Sequence, residues 1–203
     1  MKAGIFMMPS HPPERDLCEG HEWHLKHLAF VDQLGFHEAW IGEHFTAPWE
    51  PNPAPDLLIA QALLHTKQMK LCPGAHLLPY HHPVELAHRV AFLDHLAQGR
   101  FMLGIGAGAL PSDMRMFNVN AETGENRQMM LEALDIMLKL WTSKEPFEYV
   151  GDYWTVNRID TMLESLKFHI RPFQKPYPPI GIAGASPQSE SLYFAGERGF
   201  MPM

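Results

Sequence analysis

Short apolar bursts alternate along the chain with longer stretches whose apolar residues recur every three or four positions. The bursts predict strands and the stretches predict helices. Residues 3–8 form the first burst, closed by Pro9 and the Pro12-Pro13 pair. Residues 22–34 carry Leu25, Leu28, Val31 and Leu34 at helical spacing, with Gly35 as a stop. A second strand is predicted over 38–42, and a proline-rich loop over 46–55 follows it. Asp56 is placed to cap a helix reaching His65. A third strand is predicted over 69–77. Pro83 suits the first turn of a helix over 84–96, whose face is Leu86, Val90, Leu93 and Ala97. Gly99 closes it, residues 101–105 read as a fourth strand, and 106–120 as irregular loop.

Residues 125–141 give the clearest helical stripe: Met129, Met130, Ala133, Leu134, Met137, Leu140 and Trp141. The rhythm breaks over 143–170, where residues 147–150 and 153–156 flank Gly151-Asp152 as a hairpin would. Proline-rich chain leads to a fifth strand at 180–183. Ser186 then reads as a helix cap, Pro187 as the first helical residue and Gly199 as the stop, with a sixth strand from Phe200. Strand-helix alternation of this kind predicts a parallel sheet covered by helices. A dinucleotide fingerprint is missing after the first strand, where Met8-Pro9-Ser10 stands. Gly104, Gly106 and Gly108 instead follow the fourth strand, which favours a barrel with one shared active face.

Composition narrows this picture. Of 203 residues, 46% are hydrophobic and 19% charged, a globular balance, and the length is enough for one substantial domain or two small ones. A net charge of −7 gives no electrostatic reason to expect nucleic acid. Cys18 and Cys72 are too few for a disulfide scaffold and fit a reducing, cytoplasmic compartment. No apolar run reaches membrane-spanning length. The chain stops on the apolar segment Phe200-Met201-Pro202-Met203, which raises the expectation that the polypeptide continues.

Candidate chemistry collects at the predicted strand ends. His44 is a candidate base or hydrogen-bonding group, with the alternative that it satisfies a loop. Glu43 could orient a partner or pair with an arginine. Gly74 and Ala75 leave room for a flat ligand against the backbone, and Gly106 does the same or simply makes a tight turn. Ser186 is a helix cap, and Ser186 and Ser189, flanking Pro187, could also hold a phosphate. Arg127, at the start of a helix, needs a negative partner, with Glu122 and Glu125 nearby. Trp40, Phe45, Trp49 and Phe117 could wall an apolar pocket. His21, His24 and His27 drift around a helix, and no metal site is expected.

Four stretches carry a resemblance: Trp40-Ile41-Gly42-Glu43-His44-Phe45, Pro73-Gly74-Ala75-His76-Leu77-Leu78-Pro79, the run from His82-Pro83-Val84 through Gln98-Gly99-Arg100-Phe101, and Pro179-Ile180-Gly181-Ile182-Ala183-Gly184-Ala185-Ser186. Together they resemble the bacterial luciferase-like family of flavin-dependent monooxygenases, in particular its limonene and terpene monooxygenase-like subgroup. The resemblance implies an α/β fold, a (β/α)8 TIM barrel with about six of its eight strands in residues 1–203. These residues would form a single domain with an insertion at about 143–170 that shapes the mouth. It also implies an enzyme that uses reduced FMN and O2 to oxidise a small hydrophobic substrate such as a terpene, alkane or aldehyde. A separate NAD(P)H:flavin reductase would supply the flavin, and the protein would be a homodimer or larger homo-oligomer.

By the same resemblance His44 is catalytic, and the pair Gly74 and Ala75 lies beneath the flavin ring and can contain a non-proline cis peptide bond. Gly106, Ala107, Gly184, Ala185, Ser186 and Ser189 complete the cofactor contacts, and Phe6, Glu43 and Phe45 wall the substrate pocket. One departure is that the family pattern can place an arginine near Ala107, and this chain has none there. Two alternatives stand beside this reading: an F420-dependent oxidoreductase on the same barrel, and a flavin-binding protein without catalysis.

Overall fold

A computed structural model describes residues 2–159, 165–184 and 189–203. Its strands are β1 (Gly4–Met7), β2 (Glu38–Ile41), β3 (Lys70–Pro73), β4 (His76–Leu77), β5 (Leu103–Gly106), β6 (Phe147–Val150), β7 (Thr155–Arg158), β8 (Ile180–Ile182) and β9 (Met201–Pro202). The helices are α1 (Leu17–Gln33), α2 (Pro55–His65), α3 (Pro83–Ala97), α4 (Pro111–Met116), α5 (Glu125–Thr142) and α6 (Glu190–Arg198). Strands β1-β2-β3 and β4-β5-β8-β9 are parallel throughout and follow chain order. A Leu71–Phe101 bridge joins the two groups. With β3 and β4 counted as one interrupted strand, six parallel strands form a barrel wall, and the described strands do not close into an eight-stranded ring.

The predicted third strand is two short strands, β3 and β4, with Gly74 and Ala75 between them, and the Gly74–Ala75 peptide bond is cis. Inside the wall, side chains alternate in and out along each strand. Trp40 points inward and fills the space left by Gly74, Gly104 and Gly181. A Cβ on Gly104 would collide with the Pro73 carbonyl oxygen, so only glycine lets these two strands approach. Outward residues such as Ile41, Leu71, Leu103, Ile105 and Ile182 are fully buried beneath the helices. Each such side chain contributes roughly 1.5–3 kcal/mol of transfer free energy.

Several boundaries moved for local reasons. Helix α1 starts at Leu17, a turn and a half before the apolar pattern begins. Asp16 caps it by accepting from the N–H groups of Cys18 and Glu19 at 2.8 and 3.2 Å. Asp56 does not cap α2: Pro55 is its first residue, and the Asp56 carboxylate pairs with Arg89 at 3.1 Å. The predicted loop over 106–120 contains the short helix α4. The hairpin turn is longer than Gly151-Asp152 and β7 begins at Thr155. The Glu132 carboxylate takes the N–H groups of Asp152, Tyr153 and Trp154, which removes them from the ladder. Helix α6 begins after Ser189, whose hydroxyl accepts from Ser191 N, and ends on Gly199 at φ 68°. The expected cap and first-turn residues Ser186 and Pro187 lie outside the described residues.

Candidate active site

The ends of the parallel strands open on a cleft of about 290 Å3. Its floor is made of small residues, Gly74 and Ala75 between β3 and β4, Gly106 and Ala107 after β5, and Ala183 and Gly184 after β8. A methyl group built on Gly106 would stand 3.3 Å from Leu77, 3.4 Å from Ala75 and 3.7 Å from Ala183. It would occupy the floor itself. Phe6, Glu43 and His44, from β1 and the end of β2, also line it, as do Asn126 and Arg127 from α5 and Ser189 and Ser191 from the start of α6. The sequence therefore nominated nine residues that line one cleft: Phe6, Glu43, His44, Gly74, Ala75, Gly106, Ala107, Gly184 and Ser189. Ala185 and Ser186 lie outside the described residues.

Phe45 is placed differently. It packs edge-on against Phe117 at 4.7 Å and Tyr80 at 5.8 Å, behind the cleft. Asp113, fully buried at the start of α4, accepts from Phe45 N at 3.3 Å and from the Thr46 hydroxyl. This ties the loop after β2 to α4. Trp40 and Trp49 do not join a pocket with Phe45, because Trp40 is inside the wall and Trp49 is exposed. The 147–158 hairpin lies along α5, with Tyr153 bonded to Gln128 at 2.8 Å, and none of its residues lines the cleft.

Beneath the floor sits a network the sequence did not announce. The Glu43 carboxylate, 2% exposed, accepts from His76 Nδ1 at 2.7 Å, His81 Nε2 at 2.8 Å and Leu77 N at 3.3 Å. Burial alone pushes Glu43 up; the hydrogen bonds and charges of His76 and His81 outweigh it and bring the group down to about 2. Glu43 is thus an anion at any ordinary pH, and its partners are histidines where an arginine was an option. Glu43, His76 and His81 also place donor atoms within 4.8 Å of one another. Each ring is already bonded directly to the carboxylate, so these donors are used within the protein. Close by, burial, Asp113 and Glu43 push the Tyr80 phenol up to about 12. Its ring stacks on Phe117 at 4.5 Å, and its hydroxyl reaches the space a Cβ on Gly108 would need.

The other side is more open. Arg127, on the first turn of α5, pairs with Glu190 of α6 at 3.5 Å and not with Glu122 or Glu125. Glu125 instead accepts from Asn120 N at 2.6 Å. Asn126 donates to the Ala107 carbonyl at 3.2 Å, fixing the floor loop to α5. Arg127, Ser189 and Ser191 thus bring one cation and two hydroxyls to the same cleft.

A second, larger cleft of about 430 Å3 lies between the loops after β1 and β2 and the first turns of α1 and α2. It is lined by prolines, Leu57, Leu58 and the imidazoles of His11, His21 and His24, with no acidic side chain. Burial, then the neighbouring His11, His21, His27 and Arg15, push His24 down to about 4. His21 and His24 share this cleft, whereas His27 is not among its lining residues.

Comparison with known proteins agrees with the geometry. The profile of the luciferase-like monooxygenases matches residues 1–202. The chain is 36% identical over 220 residues to 3,6-diketocamphane 1,6-monooxygenase of Pseudomonas putida, covering all of this chain and 58% of that protein. It is 35% identical over 201 residues to 4-hydroxyprotoasukamycin monooxygenase of Streptomyces nodosus subsp. asukaensis, covering 98% of this chain and 51% of that one. The solved oxygenating constituent of 3,6-diketocamphane monooxygenase from Pseudomonas putida, a type II Baeyer-Villiger monooxygenase in complex with FMN, superposes with a TM-score of 0.91 at 36% identity. That match covers 100% of this chain and 56% of that structure. The chain thus spans a little over half the length of these relatives. With parallel strands in family order and a profile match along nearly its whole length, the chain belongs to the luciferase-like monooxygenase family.

Proposed function

We propose that the strand-end cleft binds reduced FMN and that the protein is the oxygenating part of a two-component monooxygenase for a small hydrophobic substrate. The carrying observation is the run of small residues Gly74, Ala75, Gly106, Ala107 and Ala183 lining one cleft together with His44, Arg127 and Ser189. A planar ring system fits such a floor, and a phosphate fits hydroxyls and a cation near the start of a helix. Arg127 supplies the positive charge that the sequence lacks near Ala107. Gly184, Ala185, Ser186 and Ser189 are the loop proposed to complete the phosphate contacts. Bound reduced FMN supplies the electrons that activate O2.

The chain's own residues bind, orient and exclude water. Asn126 holds the Ala107 carbonyl, Glu43 anchors the β4 end of the floor, and His44 offers an imidazole for holding or moving a proton. Phe6 and Leu77 give the cleft apolar walls, which supports a hydrophobic substrate. Relatives acting on diketocamphanes make a cyclic terpenoid ketone the first substrate to try.

A separate NAD(P)H:flavin reductase is the proposed electron source. Trp23, Phe30, Leu57, Leu64, Phe92 and Leu96 leave apolar surface on the outer helices and support a homo-oligomer. Among the described residues no helix is long and apolar enough to cross a membrane, and a cytoplasmic location is proposed from the two unpaired cysteines. The experiment supplies reductase-generated FMNH2, O2 labelled with 18O and a bicyclic ketone. One labelled oxygen atom in the product is expected. Oxygen-independent turnover with reduced F420, without label, would replace the proposal by the hydride-transfer alternative.

A further inference from the structure

The loop that carries His44 folds back so that a second carboxylate, Glu50, meets the ring. Glu50 Oε2 lies 2.5 Å from His44 Nδ1, and the two side chains are only 14% and 20% exposed. His44 Nδ1 makes no hydrogen bond there, so the contact is a close electrostatic approach. Glu50 is held from several directions. Its Oε1 accepts from the Ser10 hydroxyl at 3.0 Å, across from the loop after β1. Its N–H donates to the Ala47 carbonyl at 3.0 Å, and its own carbonyl accepts from Asn52 N at 2.8 Å. Asn52 closes the loop, accepting from His44 N at 3.1 Å and donating its side-chain amide to the Gly42 carbonyl at 2.7 Å. Backbone and side-chain bonds thus converge on one geometry for the His44–Glu50 pair.

We propose that Glu50 is a positioning residue for His44, fixing its ring and its tautomer. The inference rests on the reading of His44 as the acting imidazole of the cleft. A carboxylate oxygen this close repels a bare ring lone pair, so the proton is favoured on the nitrogen that faces it. Nδ1 is that nitrogen, which leaves Nε2 with the lone pair as the atom able to act in the cleft. When Nε2 takes up one proton the ring becomes an imidazolium beside the Glu50 anion. Returning the proton restores the neutral ring, with no change of oxidation state. The same division of labour, one ring nitrogen set against a carboxylate and the other free to act, is general to oriented catalytic histidines.

The test joins a direct readout of the ring to a kinetic one. In 15N spectra of the ring nitrogens at neutral pH, wild type is expected to show His44 with Nδ1 protonated and Nε2 unprotonated. Glu50→Gln, whose amide can either donate or accept, is expected to mix the two tautomers, and Glu50→Asp to restore the wild-type pattern in part. Ser10→Ala, which frees Oε1 while keeping the charge, should give a smaller change in the same direction. In turnover assays Glu50→Gln should lower kcat at least ~tenfold with KM within about twofold. An unchanged His44 tautomer in folded Glu50→Gln overturns the proposal, whatever the kinetics. A changed tautomer with full turnover in His44→Ala would instead sink the reading of His44 as the acting group and leave the pairing intact.

Discussion

Two clefts open among the loops that follow the strands, and the larger is the less equipped for chemistry. The cleft of about 430 Å3 is walled by helix sides and prolines, and its imidazoles have no acidic side chain beside them. The cleft of about 290 Å3 is floored by strand ends and underlain by an ionised carboxylate clamped between two histidines. Volume measures how loosely helices and loops meet. Chemistry needs fixed polar groups, and in this barrel the rigid elements that fix them are the ends of the strands.

That contrast can be broken by substitution, and the largest effect should fall on the smaller cleft. Glu43→Ala leaves His76 and His81 without their acceptor in a buried site, and should cost about 3 kcal/mol of stability; urea unfolding measures it. Next comes Gly106→Ala, whose added methyl raises the floor against Leu77 and Ala75. FMN affinity should weaken about tenfold, or ~1.4 kcal/mol, by fluorescence titration. Stability should change by less than that, because Gly106 has no left-handed backbone to strain. Arg127→Ala should weaken FMN by a similar or smaller factor and leave riboflavin, which has no phosphate, unchanged.

The larger cleft should respond in a different pH window. His24 in the folded chain sits at about 4 against an ordinary 6.5, so the unfolded chain takes up this proton first as pH falls. Its contribution is present above 6.5 and is lost as pH drops from there toward 4. His24→Leu should flatten that limb, an effect of about 1 kcal/mol given partial solvent screening, and leave FMN binding intact. Glu43 works lower. Held at about 2 against an ordinary 4.5, it contributes fully above 4.5 and loses its contribution as pH falls toward 2. Stability measured against pH for wild type, His24→Leu and Glu43→Gln separates the two limbs.

How legible each part was follows from how local its cause is. The floor could be read from sequence because small residues at the ends of apolar bursts, such as Gly74-Ala75 and Gly106-Ala107, declare themselves within a few positions. The strand order was legible for the same reason, since each helix and strand carries its own period. The Glu43 network was not, because its partners lie 33 and 38 residues away and come from a strand and the turn beyond it. His76 and His81, on either side of Pro79 with His82 beside them, give no sign of which carboxylate they will meet. Arg127 misled in the opposite way: two acidic neighbours in sequence offered pairing, yet the fold brings Glu190 from 63 residues away. Glu50 was hidden in a proline-rich loop whose closure depends on Ser10 and Asn52. The larger cleft, built where loops meet the sides of two helices, left no pattern at all.

The central claim is that the smaller cleft, and not the larger, takes the flavin. Titrating 15N-labelled protein with FMN and following its 1H–15N spectrum tests this residue by residue. The expected result is saturable shifts at Ala75, Gly106, Ala107 and Ser189 that share one binding curve, with His11 and His24 unmoved. Saturable shifts centred on His11, His21 and His24, or no shift at the strand ends at saturating FMN, would contradict it.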